Sequence, residues 1–168
     1  LLKDDFPSWL YQVKMGATTV WEHWDGLKPD GTMWSADMNS FNHYAYGAIG
    51  DWLYRWAAGL QEAAPGFREI RIKPYLNDHF TSMKAEQRTP YGLASSGWTK
   101  EGDALTLTVE IPANTTAEVY VPSAAADKVT ESGRALDGRS DLKVAGWDDG
   151  YTLVRLGSGR YEFRSTLK

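Results

Sequence analysis

From Glu69 to Arg164, run after run alternates apolar and polar residues with period two, and turn residues separate the runs. That alternation marks half-buried strands. Glu69-Ile-Arg-Ile-Lys73 is stopped by Pro74, and further strands are expected at Phe80–Thr89 and Tyr91–Lys100. A Glu101-Gly-Asp103 turn leads to Ala104-Leu-Thr-Leu-Thr-Val-Glu-Ile111, where leucine alternates with β-branched residues. Pro112 and Asn114 turn the chain into Thr116–Val121. Short strands follow near 127–131 and 141–145, then at Tyr151–Leu156 and Tyr161–Arg164. Many short strands with a turn between each predict an antiparallel β-sandwich.

The first 60 residues are of a different kind. Pro7 suits the first turn of a helix, and Trp9, Leu10, Val13 and Met15 follow near helical spacing, with Gly16 to close it. A helix over 7–15 is predicted. Residues 24–40 gather Gly26, Pro29, Gly31, Asp25, Asp30, Asp37 and Asn39, the chemistry of turns, while Trp24, Met33, Trp34 and Met38 argue for an ordered loop. A second helix is predicted over 40–58, with Ser40 as N-cap, His43 at the third helical position and Gly59 as its end. Tyr46, Ile49, Leu53 and Trp56 mark one face, and Ala45, Ala48 and Trp52 widen it, so burial on most sides is expected. Gly47 and Gly50 cost about 1 kcal/mol each relative to Ala, which close approach of a neighbouring helix or aromatic ring would offset. The composition changes near Ala64-Pro-Gly66, and the domain boundary is placed there, giving residues 1–62 and 63–168. So few helical residues cannot close a core of their own. Their apolar faces call for a covering partner, and self-association is expected if none is supplied.

Charge and composition exclude several functions. A net charge of -4, with no run of Lys and Arg, leaves nothing to neutralise phosphates, so nucleic acid and anionic membranes are not expected partners. No apolar stretch approaches a membrane span. With no Cys and three His there is no disulfide and no metal-binding spacing, and no cofactor is expected. The compartment is left open. The sequence starts without Met or an apolar leader core, which suggests a chain cut from something longer. Eight Trp and nine Tyr make it rich in rings that can stack on sugars.

Those rings cluster about one carboxylate. Thr18-Thr-Val-Trp-Glu-His-Trp-Asp-Gly26 places Glu22 among Trp21, His23 and Trp24, with Trp34 in the loop beyond. A carboxylate there can activate water, and indoles can stack on a pyranose. The alternative is that the tryptophans are core and Glu22 is a solvated loop residue. A hydrolase that inverts its substrate needs a second carboxyl roughly 6.5–9.5 Å from the first. Asp25, Asp30 and Asp37 are the local candidates, although Asp in such loops commonly turns the backbone. His23 and His79 read as structural or exposed residues, and Asn42 as an organiser of its loop.

The Thr18–Gly26 motif, together with Asn39-Ser-Phe-Asn-His-Tyr-Ala-Tyr-Gly-Ala-Ile-Gly-Asp-Trp-Leu-Tyr54, resembles the C-terminal part of the bacterial α-L-rhamnosidases. Ile70-Arg-Ile-Lys-Pro74 and Ile111-Pro-Ala-Asn-Thr-Thr-Ala117 are similar to that family's C-terminal sandwich. The resemblance covers essentially the whole chain. It implies an α+β chain: the last helices of an (α/α)6 barrel, residues 1–62, followed by an antiparallel β-sandwich, residues 63–168. It also implies removal of terminal α-L-rhamnose with inversion. Glu22 would then be the general base and His43 a residue lining the rhamnose site, with Trp21, Trp24 and Trp34 as candidate sugar contacts. The general acid would lie upstream, in the remainder of the barrel. A competing expectation is a non-catalytic module, in which the sandwich either binds glycan through Trp98, Trp147 and its tyrosines or serves as a scaffold.

Overall fold

A computed structural model describes residues 3–168. They form two compact units, divided between Asp51 and Trp52. The sequence reading draws its boundary eleven residues later, where composition changes; the unit division follows packing, and the stretch 52–62 packs with the strands.

The first unit opens with α1 (Trp9–Lys14). Ser8 caps it, its hydroxyl accepting from the Tyr11 N–H at 3.2 Å. Pro7 therefore stands before the cap and not in the first turn. A hydroxyl acceptor satisfies one of the helix's orphan donors, whereas proline merely lacks one. Gly16, at φ +86°, closes the helix as expected.

The second predicted helix begins four residues late. A 3-10 turn (Tyr44–Ala48) leads into α2 (Ile49–Trp52), within which the unit division falls, and a π turn follows at Leu53–Ala57. The N-cap is His43, in extended conformation, and not Ser40. Residues 40–43 are already engaged elsewhere in the unit, as described below. Burial on most sides is also overturned: none of residues 44–52 is buried, and Tyr44 is 90% exposed. Gly47 and Gly50 have open space where a β-carbon would stand, so the expected close neighbour is absent among the described residues. An apolar stripe records that a face is to be covered; it does not say by what.

The second unit is the sandwich. Its strands are β1 (Leu60–Glu62), β2 (Glu69–Ile72), β3 (Ser82–Thr89), β4 (Gly92–Glu101), β5 (Ala104–Ile111), β6 (Thr116–Pro122), β7 (Val129–Glu131), β8 (Arg134–Ala135), β9 (Leu142–Asp148), β10 (Tyr151–Leu156) and β11 (Gly159–Thr166). One sheet has the order β1-β2-β6-β10-β9 and the other β3-β4-β5-β11-β7-β8. Pairing is antiparallel except between β2 and β6, which run parallel. The parallel pair arises because the chain leaves the first sheet after β2, builds β3–β5 in the second, and returns beside its starting strand. The two-residue β8 and three-residue β1 are too short to show a period.

The two sheets share one core. Ile70, Ile72, Val119, Val121 and Val154 face Leu105, Leu107, Val109, Trp98 and Phe163. Each fully buried aliphatic side chain contributes about 1.5–3 kcal/mol. Trp98 is 2% exposed, and its indole N–H donates to the Ala57 carbonyl at 2.8 Å. It is core and offers no sugar platform. The Ser96 hydroxyl donates to the next carbonyl, that of Ala58, at 2.6 Å. Strand β4 thereby satisfies the last carbonyls of the π turn. Trp147 is half exposed, with its indole N–H bonded to the Ser123 carbonyl.

A charged clamp closes the far edge of the second sheet. The Arg139 guanidinium spans the buried Glu131, at 2.8 Å, and Asp141, whose carboxylate takes both Nε and a terminal nitrogen. Hydrogen bonds from Arg139 hold the Asp141 carboxyl down at about 2. Burial pushes the Glu131 carboxyl up, but bonds from the Ser132 hydroxyl, Arg139 and the Glu162 N–H outweigh it and leave it below its ordinary value. Both groups titrate lower in the fold than in the unfolded chain. Their stabilisation is present above the ordinary carboxylate range, near 4, and is lost as pH falls from there toward about 2. Arg139→Met should therefore be destabilised at neutral pH, with the gap to wild type closing between about pH 4 and 2. Urea midpoints measured across that range check this; parallel curves would remove the clamp from the account.

Candidate functional site

The first unit folds its motifs against each other through backbone bonds. The Glu22 N–H donates to the Ser40 carbonyl at 2.9 Å, and the His43 N–H donates to the Val20 carbonyl at 2.7 Å. The Thr19 hydroxyl bonds the Phe41 carbonyl. Residues 19–22 and 40–43 thus form a short paired ribbon. This is why Ser40 does not start a helix: its carbonyl and N–H are both committed to Glu22.

The ribbon carries the two residues that the sequence singled out. The Glu22 carboxylate accepts the Ser40 N–H at 3.1 Å through Oε2. Among the described residues that is its one hydrogen bond, and the side chain is half-buried. One carboxylate oxygen is thereby fixed and the other left to accept a proton. His43 stands on the facing segment. Its Nδ1 is buried with no partner among the described residues, and its ring lies parallel to that of Tyr44, with centroids 6.1 Å apart.

The tryptophans divide into two groups. Trp21 is 4% exposed and packs edge-on to Phe41, with centroids 5.0 Å apart. Its N–H donates to the Gln12 side chain of α1 at 3.4 Å. Trp21 therefore lies in the interior of the unit. Trp24 and Trp34 are 40% and 42% exposed. Trp34 stacks on His23 at 4.1 Å and 25°. Trp24 belongs to a cluster with Tyr46, 5.4 Å away, and Trp9, 6.3 Å away. The sequence pattern marks Trp9 and Tyr46 only as helix-face residues.

The loop of residues 24–38 is held by turns. The Lys28 N–H donates to the Thr32 carbonyl, Leu27 bridges Met33, and the Tyr11 hydroxyl of α1 donates to the Leu27 carbonyl at 2.8 Å. Asp30 accepts from both the N–H and the hydroxyl of Thr32, and the hydroxyl bond above all keeps its carboxyl below the ordinary value. That is a turn-forming aspartate. Asp25 is half-buried and Asp37 exposed. No group of three or more His, Cys, Asp or Glu able to hold a metal occurs among the described residues.

Two residues that sequence reasoning read as turn and cap prove central. Ser40 is the anchor of Glu22. The Asn39 side-chain amide donates to the Gly26 carbonyl at 2.8 Å, tying the two ends of the site loop. The one signal for them was their position, immediately ahead of Phe41-Asn-His43 in the motif.

Comparison with known proteins gives one consistent result. Residues 1–57 match the family model described as the bacterial alpha-L-rhamnosidase 6 hairpin glycosidase domain, and residues 59–136 match that of the bacterial alpha-L-rhamnosidase C-terminal domain. An alpha-L-rhamnosidase of Streptomyces avermitilis is 37% identical over 158 residues, covering 94% of this chain and 15% of the relative. One from Formosa agariphila is 34% identical over 165 residues, covering 98% and 18%. The crystal structure of the S. avermitilis enzyme complexed with L-rhamnose superposes with a TM-score of 0.85 at 36% identity, over 99% of this chain and 15% of that one. That of the Aspergillus terreus enzyme gives 0.78 at 35%, over 98% and 16%. The chain thus spans less than a fifth of the length of these proteins.

Proposed function

The chain belongs to the bacterial α-L-rhamnosidase family, its C-terminal portion, and from that premise we propose that it supplies the general base for hydrolysis of terminal α-L-rhamnosides with inversion. The observation that carries this reading is the Glu22 carboxylate, fixed through one oxygen by the Ser40 N–H. A base must be aimed before it can act, and a backbone donor aims it without a mobile side chain.

On this reading the free oxygen of Glu22 takes a proton from water as the water oxygen attacks the anomeric carbon. The glycosidic C–O bond breaks, and the leaving oxygen takes a proton from a general acid. The family resemblance implies that this acid comes from the remainder of the catalytic barrel; of the local candidates, Asp30 is committed to its turn. His43 contributes a ring nitrogen to the sugar hydroxyls. Trp24 and Trp34 offer exposed indole faces for the ring and the aglycone side, and Trp21 acts by packing the Glu22 ribbon. Residues 1–62 form the end of the barrel with its active-site loop, residues 63–168 the sandwich that scaffolds it, and no cofactor takes part.

The test is release of L-rhamnose from an aryl α-L-rhamnoside, followed by proton NMR of the anomeric signal. The intact enzyme should release the β-anomer first, and this chain alone should be inactive. Activity in the isolated chain would place both carboxylates within it. Release of the α-anomer first would remove the base role, because a retaining enzyme uses that carboxylate as nucleophile.

A further inference from the structure

We propose that Asn39 is a positioning residue for the Glu22 carboxylate, an inference that rests on Glu22 acting as the base. The group that holds Glu22 is the peptide N–H of Ser40, so the direction of the carboxylate follows the backbone at 39–40. No side-chain change at Ser40 short of proline removes that donor. The backbone there is held on one side by the Glu22 N–H on the Ser40 carbonyl and on the other by the side chain of Asn39.

Asn39 Nδ2 donates to the Gly26 carbonyl at 2.8 Å. The same carbonyl accepts the Trp34 N–H at 3.1 Å. One oxygen therefore gathers the turn after Glu22, the loop at Trp34 and the segment carrying Ser40. A further bond, from the Gly26 N–H to the His23 carbonyl at 3.1 Å, closes the turn that starts one residue after Glu22. This node lies one residue ahead of Ser40, the anchor of the carboxylate, and closes the turn that follows Glu22.

The fit around the amide is close. A β-carbon on Gly26 would lie 3.2 Å from Asn39 Oδ1, 3.2 Å from the His23 carbonyl oxygen and 3.5 Å from the Trp21 ring. Asn39 Oδ1 is itself buried without a partner among the described residues. Among the described residues only the Nδ2 end of the side chain is bonded, so its role in the unit is to hold Gly26.

The experiment compares Asn39→Ala, Asn39→Asp and Gly26→Ala in the intact enzyme, with Glu22→Gln alongside. The Ala variant removes the donor. The Asp variant keeps the volume but turns an acceptor toward the Gly26 carbonyl, and Gly26→Ala presses on the amide from the other side. Each should lower kcat about tenfold to a hundredfold, the effect of misaiming a catalytic group by a fraction of an ångström to an ångström, with KM within about twofold. Thermal midpoints separate this from loss of fold: a merely structural residue would reduce the amount of active enzyme and leave kcat per folded site intact. Normal kcat per folded site in either Asn39 variant, or a change confined to KM, overturns the proposal. Should neither Asn39 variant fold, unchanged kcat in Gly26→Ala overturns it. Normal turnover in Glu22→Gln would instead overturn the base assignment itself, whatever the Asn39 variants do.

Discussion

Glu22→Gln in the intact enzyme is expected to reduce kcat by about two to four orders of magnitude, the range a positioned general base contributes. The substitution is nearly isosteric. The glutamine carbonyl can still accept the Ser40 N–H that the carboxylate accepts at 3.1 Å, so the ribbon of 19–22 and 40–43 is retained. What is lost is the capacity to take a proton from water. KM should stay close to wild type, because the base acts on water and not on the sugar ring. The thermal midpoint should not move. Steady-state kinetics on an aryl α-L-rhamnoside, with calorimetry of the same preparation, check both halves. Near-normal kcat would take the base role from Glu22 and leave it a residue that merely braces its loop.

Gly59→Ala is expected to have the largest effect on stability. Gly59 follows the π turn with φ +79°, where any side chain costs about 1–2 kcal/mol. A β-carbon there would also lie 2.2 Å from the Pro74 nitrogen and 2.4 Å from the Lys73 carbonyl carbon. These are backbone atoms and cannot swing aside. They are held by the Lys73 N–H on the Gly59 carbonyl, at 2.9 Å, and the Tyr75 N–H on the Trp56 carbonyl, at 2.8 Å. Relief of the overlap must break one of these bonds or part β1 from β2. The sum is a loss of about 3 kcal/mol or more, enough to threaten a domain of ordinary stability. Urea unfolding of the chain measures it, and a loss below about 1 kcal/mol would mean the close approach is wrong.

The same glycine shows how far the sequence could be read. Its place after an apolar helical run marked it as a helix end, and it is one. That it must be glycine because Pro74 passes within touching distance is a fact of packing across fifteen residues, which no local pattern records. The site divides similarly. Glu22, His43 and the tryptophans were visible as chemistry on a motif. Which indoles face solvent was not visible: Trp21 and Trp24 are three residues apart in one motif, and one is interior while the other is exposed. The motif carries residue types, whereas burial depends on Phe41 and Gln12 arriving from elsewhere.

Sequence alone determined the strands whose alternation is long enough to repeat, such as Ala104–Ile111 and Tyr151–Leu156, because a period of two leaves one face to bury. It also determined the helix ends marked by Gly16 and Gly59, where a left-handed backbone favours a residue without a side chain. Tertiary structure alone decided the parallel pairing of β2 with β6, the short strands β1 and β8, and the non-helical backbone of residues 40–43. Each depends on a hydrogen-bond partner many residues away. Ser40 has the local chemistry of a helix cap. It became the anchor of Glu22 because Glu22 satisfies both its C=O and its N–H, whereas a helix started at Ser40 would have His43 at its third position and no Glu or Gln to reach back to that N–H.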